Sequence, residues 1–156
     1  MEIPQRLYDE IRRNMPIPCV DLMVVDSRDR VLLLRRANTP ARGEWWFPGG
    51  RIWIGETRLE AVDRKLWEET GLRASAKLEL GTSDLIFRET AGELAGHGIT
   101  TLYRVEVQGS DVRIDKQSLE VQWHSPVQWL SQPLHSFIRS RLTLLCSTAQ
   151  RQGLQI

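Results

Sequence analysis

Cysteine is scarce in this sequence, and long apolar runs are absent. Only Cys19 and Cys146 occur in 156 residues, and they stand far apart. This spacing excludes a disulfide-stapled scaffold and a thiolate zinc site, and it indicates free thiols in a reducing compartment. No stretch approaches the ~20 apolar residues of a membrane span, and the first residues lack the apolar segment of a secretory signal. We therefore expect a cytoplasmic protein without membrane contact.

An excess of charge of either sign is also missing. Lys and Arg number 21 and Asp and Glu number 20, which gives a formal net charge of +1. Bulk attraction to nucleic acid is therefore not expected, and any anion site must be built locally. The length suits one domain with a real core, so we expect a single domain over residues 1–156.

The pattern of apolar and turn residues predicts a mixed α/β domain. A helix is predicted from Pro4 to Met15, within an N-terminal segment 1–16, with Leu7 and Ile11 on its inner face together with Met15. A last helix is predicted over 133–147, followed by a polar, frayed tail over 148–156. Strands are predicted, around a polar loop at 88–98, over residues 19–25, 31–34, 51–54, 72–87, 99–107 and 119–123.

The strongest helix signal lies between residues 57 and 70. Leu59, Val62 and Leu66 recur at helical spacing, and Gly71 is a natural C-terminal stop. The sequence therefore predicts a helix with one apolar face and a charged opposite face.

That charged face carries two neighbouring carboxylates, Glu68 and Glu69. Because residues four apart share a helix face, Arg64 lies beside Glu68 and Lys65 beside Glu69. Mg²⁺ typically takes one or two carboxylates plus substrate phosphates, and the double glycine at 49–50 lets the backbone approach closely. Two adjacent Glu residues alone are more typical of a solvated face, but the wider spacing pattern favours a metal site.

The wider pattern is a single motif with one deviation. It consists of Gly50, five residues, Glu56, seven residues, Arg64, and then Leu66, Glu68, Glu69, Gly71 and Leu72. At these positions the chain resembles the Nudix hydrolase family. The resemblance implies an α/β/α sandwich with a mixed sheet, and hydrolysis of a nucleoside diphosphate derivative with Mg²⁺ or Mn²⁺.

The resemblance also assigns roles to the residues of the motif. It implies that Glu68 and Glu69 bind the metal beside the Gly49 carbonyl, and that Glu56 and Arg64 form a structural pair. Gly50 and Gly71 are the structural glycines of the motif.

Lys65 stands where many family members have a Glu that binds metal or serves as the base. A protonated lysine does neither. It can pair with Glu69 and weaken the cation site, or it can point into solvent, and the sequence leaves both open. The expected result is a site of reduced charge, with a single metal ion as one outcome.

One branch of the family, the GDP-mannose mannosyl hydrolases, lacks this Glu and displaces the nucleotide from the sugar carbon. The chain is similar to that branch over residues 35–51 and at a few separate positions. The similarity implies that Gln117 is a further metal ligand and that Asp21 contacts the substrate. It also implies that Arg36, Arg51 and Tyr103 hold the diphosphate during catalysis.

The similarity fails at the general base. Ser118 follows Gln117 where that branch has a His. His97, in the predicted polar loop, and Glu68 are candidates, so the base and the site of attack stay open. Trp45 or Trp46 can stack on a nucleobase or pack in the core.

Three functions follow from these patterns. The first is hydrolysis of a nucleotide sugar, GDP-mannose or GDP-glucose, to GDP and a hexose. The second is an ordinary nucleotide pyrophosphatase that attacks phosphorus, and the third is a catalytically weakened nucleotide-sugar-binding protein. We also expect a homodimer, with the leading helix reaching toward the partner.

Overall fold

A computed structural model describes residues 3–89, 91–113 and 118–152, with side chains to residue 147. The elements are α1 (Gln5–Asn14), β1 (Ile17–Val25), β2 (Val31–Arg36), β3 (Trp45–Trp46), β4 (Gly49–Arg51), α2 (Arg58–Thr70), β5 (Ala74–Arg88), β6 (Leu94–Val107), β7 (Ser118–His124), α3 (Pro126–Leu130) and α4 (Ser136–Gln152). In the order of the chain, helix α2 separates the first four strands from the last three.

The sheet is mixed and is organised around β1. Strand β1 pairs in parallel with β6 along its whole length. Its other side pairs antiparallel with β4 near its start and with β2 at its end. Strand β2 also pairs with β3 and β7, and β5 forms a long antiparallel hairpin with β6.

Helices cover both faces of this sheet. Val20, Leu22 and Val24 of β1 lie in the core beneath α2, whereas Met23 and Val25 lie in the core beneath α3 and α4. Successive residues of a strand point to opposite faces, so a strand that is covered on both sides is apolar almost throughout. The predicted α/β/α sandwich with a mixed sheet is confirmed.

Helix α2 is well delimited at both ends. Thr57 and Glu60 form a capping box at its start, and Gly71 ends it with φ +70°. The predicted inner face is partly wrong, because Leu59 is half exposed. The buried side instead carries Ala61, Val62, Leu66 and Thr70 together with two charged residues, Lys65 and Glu69.

The predicted loop over 88–98 is wrong. Strands β5 and β6 stay paired as far as Arg88 and Leu94, so only a short turn separates them. Cross-strand backbone hydrogen bonds here override the weak strand preference of the glycines and polar residues in 94–98. The predicted strand over 51–54 lies too late in the chain, because β4 pairs with β1 at Gly49–Arg51.

The C-terminal helices also differ from the prediction. Helix α3 was not predicted; Ser125 caps it, Gln128 completes the capping box and Pro126 stands in its first turn. Helix α4 begins at Ser136 rather than 133, and its backbone continues to Gln152, beyond the expected end at 147.

Cys19 and Cys146 are both free.

Helix α1 lies against the body of the protein without entering its core. No residue of α1 is buried, and the predicted inner residues Leu7 and Met15 are about half exposed. The expectation of an inner apolar face is therefore wrong for this chain on its own. Within the residues that the structure describes, no helix is long and apolar enough to cross a membrane.

The β1–β4 contact requires glycine at position 49. A Cβ atom there would lie 2.3 Å from the carbonyl oxygen of Val20 and 2.7 Å from Asp21 Oδ1. We predict that Gly49→Ala lowers the free energy of unfolding by about 1–3 kcal/mol, because the two strands must separate. Urea unfolding measures this change.

Gly109→Ala is the control, because a Cβ atom at Gly109 meets nothing within 4 Å. It should change stability by less than about 0.5 kcal/mol. Equal stability of the two variants would contradict the close approach at Gly49.

Candidate functional site

A pocket of about 1260 Å³ opens where β1, β2 and β4 meet α2. The β5–β6 hairpin and α1 complete its walls. Most of the residues that the sequence singled out line this one pocket: Asp21, Arg36, Gly49, Gly50, Arg51, Arg64, Lys65, Glu68, Glu69 and His97.

Glu56 and Arg64 form the ion pair that the family resemblance implied. Arg64 Nε lies 2.6 Å from Glu56 Oε1, and its Nη2 lies 2.8 Å from Oε2. The guanidinium also donates to the Arg51 carbonyl at 2.9 Å and packs 3.8 Å from the Trp53 ring centroid. The hydrogen bonds from Arg64 hold the pKa of Glu56 below its ordinary value. This pair ties α2 to the end of β4.

Lys65 does not point into solvent. Its Nζ lies 2.6 Å from Glu69 Oε1 and 3.4 Å from Glu68 Oε2. The side chains of Lys65 and Glu69 are each only 7% exposed. Of the two alternatives that the sequence left open, the structure shows the pairing with Glu69.

Glycine at position 50 makes room for this lysine. A Cβ atom on Gly50, whose φ is +152°, would lie 3.1 Å from Lys65 Cε and 3.5 Å from Nζ. The other oxygen of Glu69, Oε2, accepts the Gly49 N–H at 3.0 Å. The double glycine, the ammonium and the carboxylate therefore form one tightly packed group.

The oxygens of the two carboxylates are the type of ligand that a hard cation prefers. Glu68, Glu69 and the carbonyl of Gly49 supply the oxygens that Mg²⁺ prefers, and a diphosphate would supply more. However, Lys65 holds both carboxylates, and Arg64 Nη1 also donates to Glu68 Oε2 at 3.1 Å. Among the described residues no group of three or more His, Cys, Asp or Glu side chains is suited to a metal. By ligand type, the donors present therefore suit a cation that is shared with substrate phosphates.

Asp21 is the buried carboxyl group of the pocket. It is 6% exposed, and its Oδ2 has no hydrogen-bond partner among the described residues. Burial raises the pKa of Asp21 to about 7, although Thr100 and Arg36 act in the opposite direction. A buried carboxyl group without a full set of partners is available to a ligand.

Two arginines of the pocket are held in place by aromatic rings. Arg36 Nε donates to the Pro40 carbonyl at 2.9 Å, and its guanidinium lies 5.7 Å from the Trp46 ring centroid. Burial lowers the pKa of Arg36 from its ordinary value. Because the ordinary pKa of arginine is so high, the group stays charged at neutral pH. The Arg51 guanidinium lies 5.3 Å from the ring of Tyr8.

An aromatic wall stands next to these charges. Trp46 stacks on Phe137 with centroids 5.6 Å apart and packs at a tilt on Phe87, and Trp46 and Phe87 both line the pocket. Trp45 packs on Trp129 instead, at 5.1 Å. Trp46 is only 3% exposed and Trp45 packs against the same core, so the structure shows core packing for both tryptophans.

The structure does not place Tyr103 in this site. Tyr103 is 3% exposed in the core beneath α2, and its hydroxyl donates to Glu79 Oε2 at 2.8 Å. The expectation that it holds the diphosphate is wrong, because Tyr103 pairs with Leu22 rather than with Asp21 and so faces the other side of the sheet. Gln117 lies outside the described residues.

His97 lies on β6 rather than in a loop. It lines the pocket, with Nε2 3.6 Å from Asp84 Oδ1. Helix α1 also contributes to the pocket, through Tyr8 and Arg12, which the sequence did not indicate. Only the helical pattern of α1 is visible in the sequence, and nothing in it marks the side that faces the pocket.

The chain is similar to known proteins over most of its length. The NUDIX domain family model matches residues 15–145. "Low-salt glycan biosynthesis protein Agl8" of Haloferax volcanii is 30% identical over 92% of this chain and 90% of its own length. An "ADP-ribose pyrophosphatase" of Methanocaldococcus jannaschii is 30% identical, but over 64% of this chain and 57% of its own length.

Solved structures show the same fold. The NUDIX domain of Shewanella oneidensis NrtR, complexed with ADP ribose, matches with a TM-score of 0.72 at 22% identity. That match covers 94% of this chain and 99% of the other. The MutT NUDIX hydrolase of Burkholderia pseudomallei matches with a TM-score of 0.70 at 25% identity, over 83% and 98%.

The raised pKa of Asp21 predicts a pH-dependent loss of stability. The folded protein holds the Asp21 proton up to about pH 7, whereas the unfolded chain releases it near pH 4. The unfolding free energy should therefore fall by up to about 4 kcal/mol as the pH rises through this window. Asp21→Asn should abolish this part of the fall.

Urea unfolding of both proteins between pH 4 and pH 8 tests this prediction. The stability of Asp21→Asn relative to the unmutated protein should increase with pH, and Asp63→Asn on the exposed side of α2 serves as the control. A difference between Asp21→Asn and the unmutated protein that does not vary with pH would contradict the raised pKa.

Proposed function

The chain belongs to the NUDIX domain family and is a hydrolase of compounds that contain a pyrophosphate bond, and we propose that its substrate is a nucleoside diphosphate sugar, GDP-mannose or GDP-glucose. The products would be GDP and the hexose. The observation that carries this proposal is the pocket itself, in which charged side chains lie next to aromatic rings.

Each part of such a substrate has a matching part of the pocket. The Arg36 and Arg51 guanidinium groups suit phosphate oxygens, because their donors form a fixed fork. Phe87, which is partly exposed in the pocket wall, offers ring surface for a nucleobase. The volume of about 1260 Å³ exceeds what a nucleoside diphosphate alone needs, and it leaves room for the sugar.

Nudix hydrolases generally need a divalent metal such as Mg²⁺. In this chain Glu68 and Glu69 would hold the ion, with the Gly49 carbonyl beside them and Gln117 as a further ligand. The ion would neutralise charge on the diphosphate as the leaving group departs.

The chain's own residues would do the rest. Arg36 and Arg51 would bind the diphosphate and stabilise the negative charge that the leaving GDP acquires. Asp21 would form a hydrogen bond with the substrate through its unpartnered Oδ2. His97 and Glu68 both line the pocket, and either would act as the base that takes a proton from water.

The glycan-biosynthesis relative supports a sugar substrate, since its similarity extends over nearly the full length of both chains. A second candidate is attack at phosphorus, which the ADP-ribose pyrophosphatase relative supports over a shorter region. A third is binding without turnover, which the hold of Lys65 on both carboxylates supports.

We also propose that the protein forms a homodimer through α1. Leu7 and Met15 are about half exposed on this helix, and a partner would cover them.

Incubation with GDP-mannose and Mg²⁺ in ¹⁸O-labelled water tests the reaction. We predict that the label appears in the hexose, because water attacks the sugar carbon and GDP leaves. Mass spectrometry of the products gives the position of the label. Label in a phosphate would favour the pyrophosphatase, and binding without products would favour the third candidate.

Glu69→Gln provides the matched test of the site. Turnover should fall by about 100-fold or more, since several kcal/mol of charge stabilisation are lost. Glu60→Gln is the control, because Glu60 is exposed on the same helix and Gln also completes a capping box. An unchanged rate in Glu69→Gln would remove this carboxylate from the active site.

A further inference from the structure

We propose that Lys65 binds the diphosphate of the substrate directly, as a cation built into the chain at a place where related sites rely on a metal ion. This inference rests on the proposed function, since it concerns the same pocket. It assigns to Lys65 a binding role rather than a merely structural one.

The position of the ammonium is the first support. Lys65 Nζ contacts Glu69 Oε1 and Glu68 Oε2, the two carboxylates that would hold a metal. It also lines the pocket together with Arg36 and Arg51. A diphosphate that reaches these carboxylates through a cation must therefore come next to this ammonium.

The charges within the pocket are the second support. Among the lining residues, Arg12 pairs with Asp9 and Arg64 pairs with Glu56. Leaving these two aside, four cations (Arg36, Arg42, Arg51 and Lys65) face three carboxylates (Asp21, Glu68 and Glu69), so the lining carries a net positive charge without any metal even when Asp21 is ionised. A low-dielectric pocket with such a charge attracts a diphosphate by itself.

The packing around Lys65 is the third support. A buried ion pair contributes little to stability relative to an apolar pair of similar size, so stability alone does not explain why Lys65 and Glu69 are buried together. Gly50 leaves space beside the end of the lysine side chain, because a Cβ atom there would lie 3.1 Å from Lys65 Cε. A lysine is a compact charge on a flexible chain and can therefore turn from carboxylate to phosphate.

Binding of inorganic pyrophosphate in EDTA, measured by calorimetry, tests the inference without turnover and without a metal. The unmutated protein should bind pyrophosphate under these conditions. Lys65→Met should bind it about tenfold more weakly or worse, because a charged contact to phosphate is lost. Lys77→Met is the control, since Lys77 pairs with Asp63 outside the pocket.

A second pair of variants avoids the problem that Lys65→Met leaves Glu69 buried without its partner. Glu69→Gln should bind pyrophosphate in EDTA at least as tightly as the unmutated protein, because Lys65 is released. The double variant Lys65→Met with Glu69→Gln should lose about tenfold or more relative to Glu69→Gln alone. Equal binding by these two variants would overturn the inference, and so would no binding by the unmutated protein.

Metal stoichiometry provides an independent readout. Mn²⁺ titration followed by electron paramagnetic resonance should show more bound ions in Lys65→Glu than in the unmutated protein. An unchanged count would overturn the view that Lys65 takes the place of a metal ion. These outcomes are separate from the ¹⁸O result, because pyrophosphate and Mn²⁺ binding are measured without any sugar substrate.

Discussion

The contact between Lys65 and Glu69 is the interaction on which the account of this site depends. The two charges are 2.6 Å apart and almost fully buried, and the backbone N–H of Gly49 completes the hydrogen bonding of the carboxylate. Because one charge of the pair cannot be removed without leaving the other uncompensated, any ligand of Glu69 must also provide for Lys65. A metal bound to a diphosphate can meet this condition, since the diphosphate supplies new partners for the ammonium.

The fold brings this pair to the pocket through two close approaches. At Gly49 the absence of a side chain lets β4 lie against β1, which places the glycine backbone beside Asp21. Across the motif, the Arg64–Glu56 pair ties α2 to the carbonyl of Arg51. Strand β1 therefore contributes a buried carboxyl group, and α2 contributes the two carboxylates and the lysine. The pocket lies between them.

Much of this could be predicted from the sequence, because local patterns determine it. The helix after Gly55 and its glycine stop follow from spacing, and the central strands follow from their apolar runs. The Glu56–Arg64 pair follows from the resemblance to the family motif. The limits of such patterns appear at the start of β6, where His97 lies in a segment, residues 94–98, that has weak strand preference. Pairing with β5 determines that structure, and pairing is not a local property.

Residue roles were harder to predict where they depend on the face of an element. Tyr103 lies one position from the register that would have turned it toward Asp21, and a shift of one residue in a strand reverses its direction. For Lys65 the sequence left two orientations open, since helical spacing does not say which side of α2 is covered. The contribution of α1 to the pocket depends on how that helix packs, and its sequence shows only that it is amphipathic.

The most direct test of the central claim is a crystal structure with Mn²⁺ and a nonhydrolysable nucleoside diphosphate sugar, collected at a wavelength that reveals manganese. The account predicts an anomalous peak between Glu68 and Glu69, with diphosphate oxygens on the ion and on the Lys65 ammonium. A ligand bound elsewhere, with Lys65 still held by both carboxylates and no manganese between them, would contradict it.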